Sequence, residues 1–185
     1  MEVARVGAGG RFRPAGIMPS MPILDERTLE FFSRSPEQTR RVGMRLGGSL
    51  QPGDVICLQG ELGTGKTTLA QGLAEGWGAA DDVSSPTFVL VNIYRRPDGS
   101  EMFHVDAYRI DSPREAEELD LDALMERGPV IIEWAERMGS VVPAERLWIN
   151  LEHVEDEHRR LVFRADGPRS KELLEAVRAS MVGAR

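Results

Sequence analysis

The spacing of apolar residues in the first half of the chain predicts a helix, a buried strand and a second helix, in that order. Val42, Leu46 and Leu50 recur every four residues behind a capped start, which is the pattern of an amphipathic helix. Residues 55–58 are continuously apolar, as in a strand that is buried on both faces. A glycine-rich loop follows, and the next helical pattern is expected to stop at Gly78. Strand, glycine loop and helix together indicate an α/β unit.

The second half of the chain predicts strands that fold back on themselves. The expected elements are a hairpin of residues 87–94 and 102–105, a helix at 113–126, a strand at 130–132, a second hairpin of residues 147–151 and 161–165, and a closing helix at 170–181. Hairpins place antiparallel strands in the sheet. We therefore expect an α/β fold of three layers, in which helices flank a mixed sheet.

Composition narrows the domain count and the class of partner. The chain has 185 residues, of which 41% are hydrophobic, so we expect one domain at residues 23–185 and a disordered or non-native start at residues 1–22. A net charge of −7 argues against direct binding to a nucleic-acid backbone. Cys57, the single cysteine, is expected to be a small buried apolar residue. The chain shows neither a bilayer-spanning apolar run nor a secretory signal, so the cytoplasm is the expected compartment.

The glycine-rich loop carries the strongest chemical signal. Residues 60–67 fit the pattern G-x-x-x-x-G-K-[ST] between a buried strand and an amphipathic helix. The expected nucleotide-binding residues are Gly60, Glu61, Leu62, Gly63, Thr64, Gly65, Lys66, Thr67 and Thr68. In such a P-loop, backbone N–H groups converge on phosphates, Lys66 meets the β- and γ-phosphates, and the Thr67 hydroxyl faces Mg²⁺. The chain has 21 arginines and only two lysines, one of which is Lys66. We predict a nucleoside triphosphate with Mg²⁺.

The nucleotide is expected to be ATP. Guanine-specific P-loop proteins share an N-K-x-D motif, and the second lysine, Lys171, is followed by Glu172, so that motif is absent. The segment at the start of the first helix, residues 35–39, is the candidate neighbour of the base.

Two carboxylates end predicted strands and are candidates for the metal side of the site. Burying Asp106 or Glu133 is costly unless the carboxylate is paired or metal-bound. Alternatively, Asp106 caps the strand end or pairs with Arg109, and Glu133 pairs with Arg137. Beside a P-loop, at least one of the two is expected to serve Mg²⁺ or its water. The catalytic candidates are Lys66, Asp106 and Glu133, and the metal candidates are Thr67, Asp106 and Glu133.

Three further features are open between a chemical and a structural role. Ser85 and Thr87 form either a switch-like loop that senses the γ-phosphate or, more simply, a loop that leads into a strand. His104 shares a strand face with Asp106 and either positions that carboxylate or packs as a satisfied core residue, which we favour. Trp134 is either an aromatic surface beside the nucleotide or a core residue, and burial statistics favour the core.

Four motifs occur in a fixed order along the chain. They are the P-loop, Ser85-Pro86-Thr87-Phe88, His104-Val105-Asp106-Ala107-Tyr108-Arg109 and Ile132-Glu133-Trp134. Together they resemble the TsaE family, the small P-loop ATPase of bacterial threonylcarbamoyladenosine tRNA modification, over approximately residues 35–151. The resemblance implies a P-loop NTPase-like fold in which Thr67 and Glu133 hold Mg²⁺, Asp106 is needed for hydrolysis, and residues 85–88 act as a switch-like loop.

The resemblance also implies partners. ATP hydrolysis would be slow in the isolated chain, which would dock onto the tRNA-modifying transferase subunit and its inactive paralogue and reach tRNA only indirectly, with no membrane involved. The acidic segment 113–126 is either a solvated helix face, which we favour, or part of that docking surface. Two alternatives stay open: a small-molecule kinase, which would need an acceptor pocket and a lid, and a nucleotide-gated binding module with negligible turnover.

Overall fold

The computed structural model describes residues 25–80 and 90–182. The expectation of a disordered or non-native start at residues 1–22 lies outside these ranges. The expected switch-like residues Ser85 and Thr87 also lie outside them.

The described residues form a seven-stranded sheet with helices on both faces. The strands are β1 (Thr28–Ser33), β2 (Val55–Gln59), β3 (Val91–Arg95), β4 (Glu101–Asp106), β5 (Val130–Glu133), β6 (Leu147–Glu155) and β7 (His158–Ala165). The helices are α1 (Pro36–Gly47), α2 (Lys66–Trp77), α3 (Pro113–Glu117), α4 (Leu121–Arg127) and α5 (Pro168–Val182), with 3₁₀ segments at Ala107–Arg109 and Ala135–Val141. The expected hairpins are β3–β4 and β6–β7.

The sheet order is β1-β7-β6-β2-β5-β4-β3. Its centre is parallel, since β2 pairs with β5 and β6, and β4 pairs with β5, all in the same direction. Its two margins are antiparallel, with β3 against β4 on one side and β7 and β1 beyond β6 on the other. The predicted mixed α/β sheet is therefore confirmed.

Strand β2 is buried on both faces because its side chains alternate between two cores. Ile56 and Leu58 pack with α1, α2 and α5, whereas Val55 and Cys57 pack with residues of α3, α4 and the second 3₁₀ segment. Burial raises the pKa of the Cys57 thiol to about 12, so this cysteine is the inert apolar residue that the sequence predicts. Across the described ranges, none of the helices is long and apolar enough to cross a bilayer.

Helices α1 and α2 touch through glycines, with no side chains between their backbones. A Cβ atom at Gly72 would overlap the carbonyl oxygen of Arg40, and one at Gly76 would overlap that of Met44. Gly47 on α1 faces the carbonyl of Leu73 in the same way. Helix α2 begins at the P-loop, so this contact fixes the loop against the rest of the fold.

The acidic segment differs from its prediction. We expected one helix at 113–126, but the structure has two short helices, α3 and α4, separated at Asp120. Asp120 adopts a left-handed conformation (φ 46°), and its carboxylate accepts a hydrogen bond from the Ala123 amide at the start of α4. This local capping interaction competes with a continuous helix, which the charge pattern alone does not reveal. Strand β1 and the 3₁₀ segment after β5 were not predicted.

Candidate nucleotide-binding site

The P-loop joins the end of β2 to the start of α2. Gly63 and Gly65 have φ angles of 79° and 99°, in the left-handed region that favours glycine, and a Cβ at either position would meet nothing within 4 Å. Conformation rather than crowding therefore requires glycine there. Gly65 is the N-cap of α2, so the unpaired N–H groups and the positive dipole end of that helix face the mouth of the loop.

Lys66 is buried at this mouth, with 5% of its surface exposed. Its Nζ donates to the carbonyl oxygens of Gly60 (2.7 Å) and Glu61 (2.9 Å) and lies 3.7 Å from the centroid of the Trp134 ring. Burial lowers the pKa of Lys66, while the negative charges of nearby carboxylates, chiefly Glu133, oppose that shift. In the described part of the chain no carboxylate forms an ion pair with Lys66, so its charge is available to an anionic ligand.

The metal candidates meet at the carboxyl ends of β4 and β5. Asp106 and Glu133 are register partners on these adjacent parallel strands, and both are buried. The Thr67 Oγ1 donates to Glu133 Oε2 at 3.1 Å. A hydroxyl and two carboxylates are the hard oxygen donors that suit Mg²⁺. Within residues 25–80 and 90–182, no group of three or more His, Cys, Asp or Glu side chains is arranged to hold a metal ion.

The structural alternatives for these carboxylates have different outcomes. Asp106 Oδ1 accepts a hydrogen bond from the Tyr108 amide at 2.9 Å, so Asp106 does cap the strand end. The expected alternative pairing of Glu133 with Arg137 is wrong, because Arg137 pairs instead with Asp111 at 3.7 Å.

His104 lies one strand away from the carboxylate that it contacts. It is fully buried, and its Nε2 is 2.9 Å from Glu133 Oε1. Its Nδ1 is 3.1 Å from the hydroxyl of Tyr94. His104 is a satisfied buried residue, as favoured, but the partner considered from the sequence, Asp106, was wrong. Strand alternation puts His104 and Asp106 on one face, and it cannot reveal that the imidazole reaches β5.

Trp134 combines the two placements considered from the sequence, since it packs against the core beside β5 and also faces the P-loop. We expected a core residue, but the indole is only partly buried, covers Lys66 and lies 5.1 Å from the Tyr108 ring, measured between centroids. Its backbone is left-handed (φ 59°), which is rare for a bulky residue and is concentrated at functional sites. Its position directly after a strand-ending carboxylate was the sequence signal that could have favoured the site.

Three cavities border the P-loop in the described part of the chain, and the first, of about 530 Å³, lies beside Gly60, Glu61 and Thr64. A second, of about 380 Å³, is lined by Leu62, Gly63, Gly65, Lys66, Thr67, Thr68, Asp106, Tyr108, Glu133 and Trp134. A smaller one of about 170 Å³ is lined by Pro36, Thr39, Gly63, Thr64, Gly65, Thr68, Glu157 and Arg159. The smaller cavity includes part of the segment 35–39 that we expected near the base. Sequence reasoning missed Arg159, whose guanidinium lies 3.3 Å from the Gly63 carbonyl oxygen, because it comes from the distant β6–β7 hairpin.

Comparison with known proteins decides the family. The family model described as "Threonylcarbamoyl adenosine biosynthesis protein TsaE" matches residues 33–161. The chain belongs to the TsaE family. The tRNA threonylcarbamoyladenosine biosynthesis protein TsaE of Bacillus subtilis (strain 168) is 36% identical over 151 residues, which are 80% of this chain and 93% of the relative. The TsaE protein of Streptomyces coelicolor is 41% identical over 115 residues, 61% of this chain and 78% of the relative.

A solved structure agrees with the TsaE assignment. The crystal structure of YdiB from Bacillus subtilis superposes with a TM-score of 0.70 at 30% identity, covering 84% of this chain and 97% of that chain. The resemblance to the TsaE family, the P-loop NTPase-like fold and a role in tRNA threonylcarbamoyladenosine biosynthesis are thereby confirmed. The family and the fold also favour nucleotide binding and hydrolysis.

Proposed function

We propose that this chain binds ATP with Mg²⁺ and hydrolyses it to drive tRNA threonylcarbamoyladenosine biosynthesis, acting on the transferase complex without transferring the threonylcarbamoyl group itself. The observation that carries the proposal is the convergence of three buried charged side chains and the partly buried Thr67 at one mouth. Lys66 lies there without a carboxylate partner among the described residues, and the Thr67 hydroxyl contacts Glu133, which is in register with Asp106.

Phosphate binding falls to the loop and to Lys66. The Lys66 ammonium donates to two carbonyl oxygens of its own loop, and the phosphates of ATP offer it stronger, charged acceptors. The amides at the start of α2 supply the remaining donors. Trp134 limits the access of water to the ammonium from the side that it covers.

Hydrolysis requires a metal, an oriented water molecule and a way to stabilise the charge that develops on the phosphates. Thr67 and Glu133 would hold Mg²⁺, with Asp106 beside them. An ion held by these residues would supply neutralisation of phosphate charge and polarisation of the bond that breaks. The Tyr108 amide fixes one oxygen of Asp106, and we assign to this carboxylate the orientation of a water molecule toward the γ-phosphate.

The nucleotide orients with its base toward the smaller cavity. Pro36 and Thr39 line that cavity together with Arg159, whose planar guanidinium is suited to stacking on an aromatic base. This contact is not specific for guanine, in keeping with the missing N-K-x-D motif. The switch-like role of Ser85 and Thr87 stays a prediction.

The partners are proteins of the tRNA-modifying machinery. We assign docking to the transferase subunit and its inactive paralogue in the cytoplasm, with tRNA reached only through them. The net charge of −7 supports this arrangement, because a direct RNA binder needs a basic face.

The test is ATP turnover with and without the purified transferase complex. We expect release of inorganic phosphate that depends on Mg²⁺ and increases with the partner, and its loss in the Asp106→Asn variant. Transfer of the γ-phosphate to a metabolite would favour a kinase instead. Tight ATP binding without partner-stimulated turnover would favour a nucleotide-gated binding module.

A further inference from the structure

We propose that His104 is a positioning residue that holds the Glu133 carboxylate in the orientation needed for Mg²⁺, and that Tyr94 fixes the tautomer of His104 for this purpose. The inference rests on the proposed function, because it concerns the metal site assigned there. It adds two residues of the β3–β4 hairpin that do not line the cavity of about 380 Å³ beside the P-loop.

The hydrogen bonds that link Tyr94, His104 and Glu133 run in one direction, from donor to acceptor toward Glu133. A carboxylate only accepts, so the His104 Nε2 that lies 2.9 Å from Glu133 Oε1 must carry a proton. In the neutral ring, Nδ1 is then an acceptor, and the Tyr94 hydroxyl at 3.1 Å is its donor. Burial raises the pKa of Tyr94, and a hydrogen bond from the Asn92 side chain opposes that rise, as a donor to the phenol oxygen does. Each polar group therefore donates to the next, from Asn92 to Glu133.

The two oxygens of Glu133 have separate partners. Oε1 accepts from His104 and Oε2 accepts from the Thr67 hydroxyl at 3.1 Å. A Thr67 oxygen that bound a metal through a lone pair would keep its proton and its hydrogen bond to Glu133, and the bond from His104 would remain as well. His104 would thus set the rotation of the carboxylate and direct Oε2 toward Thr67, where the ion would be held. Hydrogen-bond partners outside the ligand shell typically change metal affinity or activity about 10- to 100-fold when they are removed.

Burial makes this contact exclusive. The His104 side chain has no exposed surface and Tyr94 is 3% exposed, so neither can exchange its partner for bulk water. The rings also contact each other, with centroids 5.9 Å apart. The imidazole is therefore held by packing as well as by hydrogen bonds, which is what an accurate positioning residue requires.

The experiment compares two amides at position 104. In His104→Gln the amide nitrogen can occupy the place of Nε2 and still donate to Glu133, whereas in His104→Asn the shorter side chain cannot reach it. The readout is the Mg²⁺ concentration that gives half of the maximal rise in melting temperature at saturating ATP. We expect this concentration to rise about 10-fold or more in His104→Asn and to stay within about threefold of wild type in His104→Gln.

The control is His158→Gln, a change at a partly exposed histidine of β7, which should match wild type. Equal losses in both amide variants, or no loss in either, would overturn the proposal. If the wild-type chain shows no Mg²⁺-dependent nucleotide binding, the proposed function fails and the inference fails with it. Normal wild-type binding together with an unchanged Asn variant contradicts the inference alone.

A second measurement needs no variant at position 104 and holds even if such variants do not fold. The ¹⁵N spectrum of the wild-type imidazole reports which ring nitrogen carries the proton. We expect the neutral tautomer protonated at Nε2, and a changed tautomer population in Tyr94→Phe. A proton on Nδ1 in the wild-type protein would overturn the proposal.

Discussion

The two halves of the sheet, which we call the site side and the antiparallel side, differ in where their charged side chains lie. On the site side, formed by β2, β5, β4 and β3, the charged and polar side chains of Lys66, His104, Asp106 and Glu133 are buried. On the antiparallel side, formed by β6, β7 and β1, charged residues form ion pairs near the surface, and the buried polar side chain of β1 is the neutral Ser33. Arg160, for example, bridges glutamates of β1 and β6. Burying the polar groups of the site side costs folding free energy, and they are retained despite that cost. The surface ion pairs of the antiparallel side cost little free energy and contribute little to stability.

The largest effect is expected at Asp106, the carboxylate to which we assign the orientation of the attacking water molecule. Asp106→Asn keeps an oxygen that can accept from the Tyr108 amide, so the strand end should keep its cap. Removing the charge that orients the water should lower ATP turnover about 100-fold or more. Calorimetry should show a nucleotide Kd within about threefold of wild type. A large loss of binding with little loss of rate would contradict the role assigned to Asp106.

Lys66→Ala tests the buried cation of the same side. Losing a charged hydrogen bond to phosphate should weaken nucleotide binding about 10- to 100-fold. Because burial lowers the pKa of Lys66, binding to the wild-type chain should weaken as the pH rises through that lowered value, since the ammonium becomes neutral. Titration calorimetry over a pH series checks both statements. An unchanged affinity in the alanine variant would remove Lys66 from the site.

Gly72→Ala asks whether the backbone that supports the site side is as sensitive as its charges. The added methyl group would overlap the Arg40 carbonyl, so we expect a loss of about 1–3 kcal/mol in the free energy of unfolding. The matched control is Gly48→Ala, where the nearest atom lies 3.7 Å away and φ is −61°. Chemical denaturation should show the control within about 0.5 kcal/mol of wild type. Equal losses in both variants would argue against the close helix contact.

The smallest effect is expected on the antiparallel side. Arg160 donates to Glu30 and Glu152, and its side chain is 39% exposed. Arg160→Ala should cost about 1 kcal/mol or less, and added salt should shrink that difference. Nucleotide binding should not change. A loss as large as that of Gly72→Ala would break the contrast between the two sides.

The residues that meet at the candidate site could be predicted from the sequence because local patterns mark them. The P-loop spacing, the strand before it and the helix after it are all short-range features, and so is a carboxylate at the end of an apolar strand such as Glu133. The fold class could be predicted for the same reason, since patterns of only a few residues indicate each hairpin and strand.

What could not be predicted depends on contacts between distant strands. His104 finds Glu133 only because β4 and β5 are neighbours, and no spacing within β4 encodes that. Trp134 is a large aromatic residue of the kind that usually lies in a core, yet a left-handed backbone conformation places its ring over Lys66. The break at Asp120 follows from a capping interaction that overrides helical periodicity.

The bare contact between α1 and α2 has a mechanical consequence. Close approach at Gly72 and Gly76 leaves no deformable layer of side chains between the two helices, so they can only shift together. Helix α2 starts at Lys66, beside the cavity of about 380 Å³, and helix α1 starts at Pro36, beside the cavity of about 170 Å³. A displacement at either cavity would therefore be transmitted to the other by a single stiff unit of two helices.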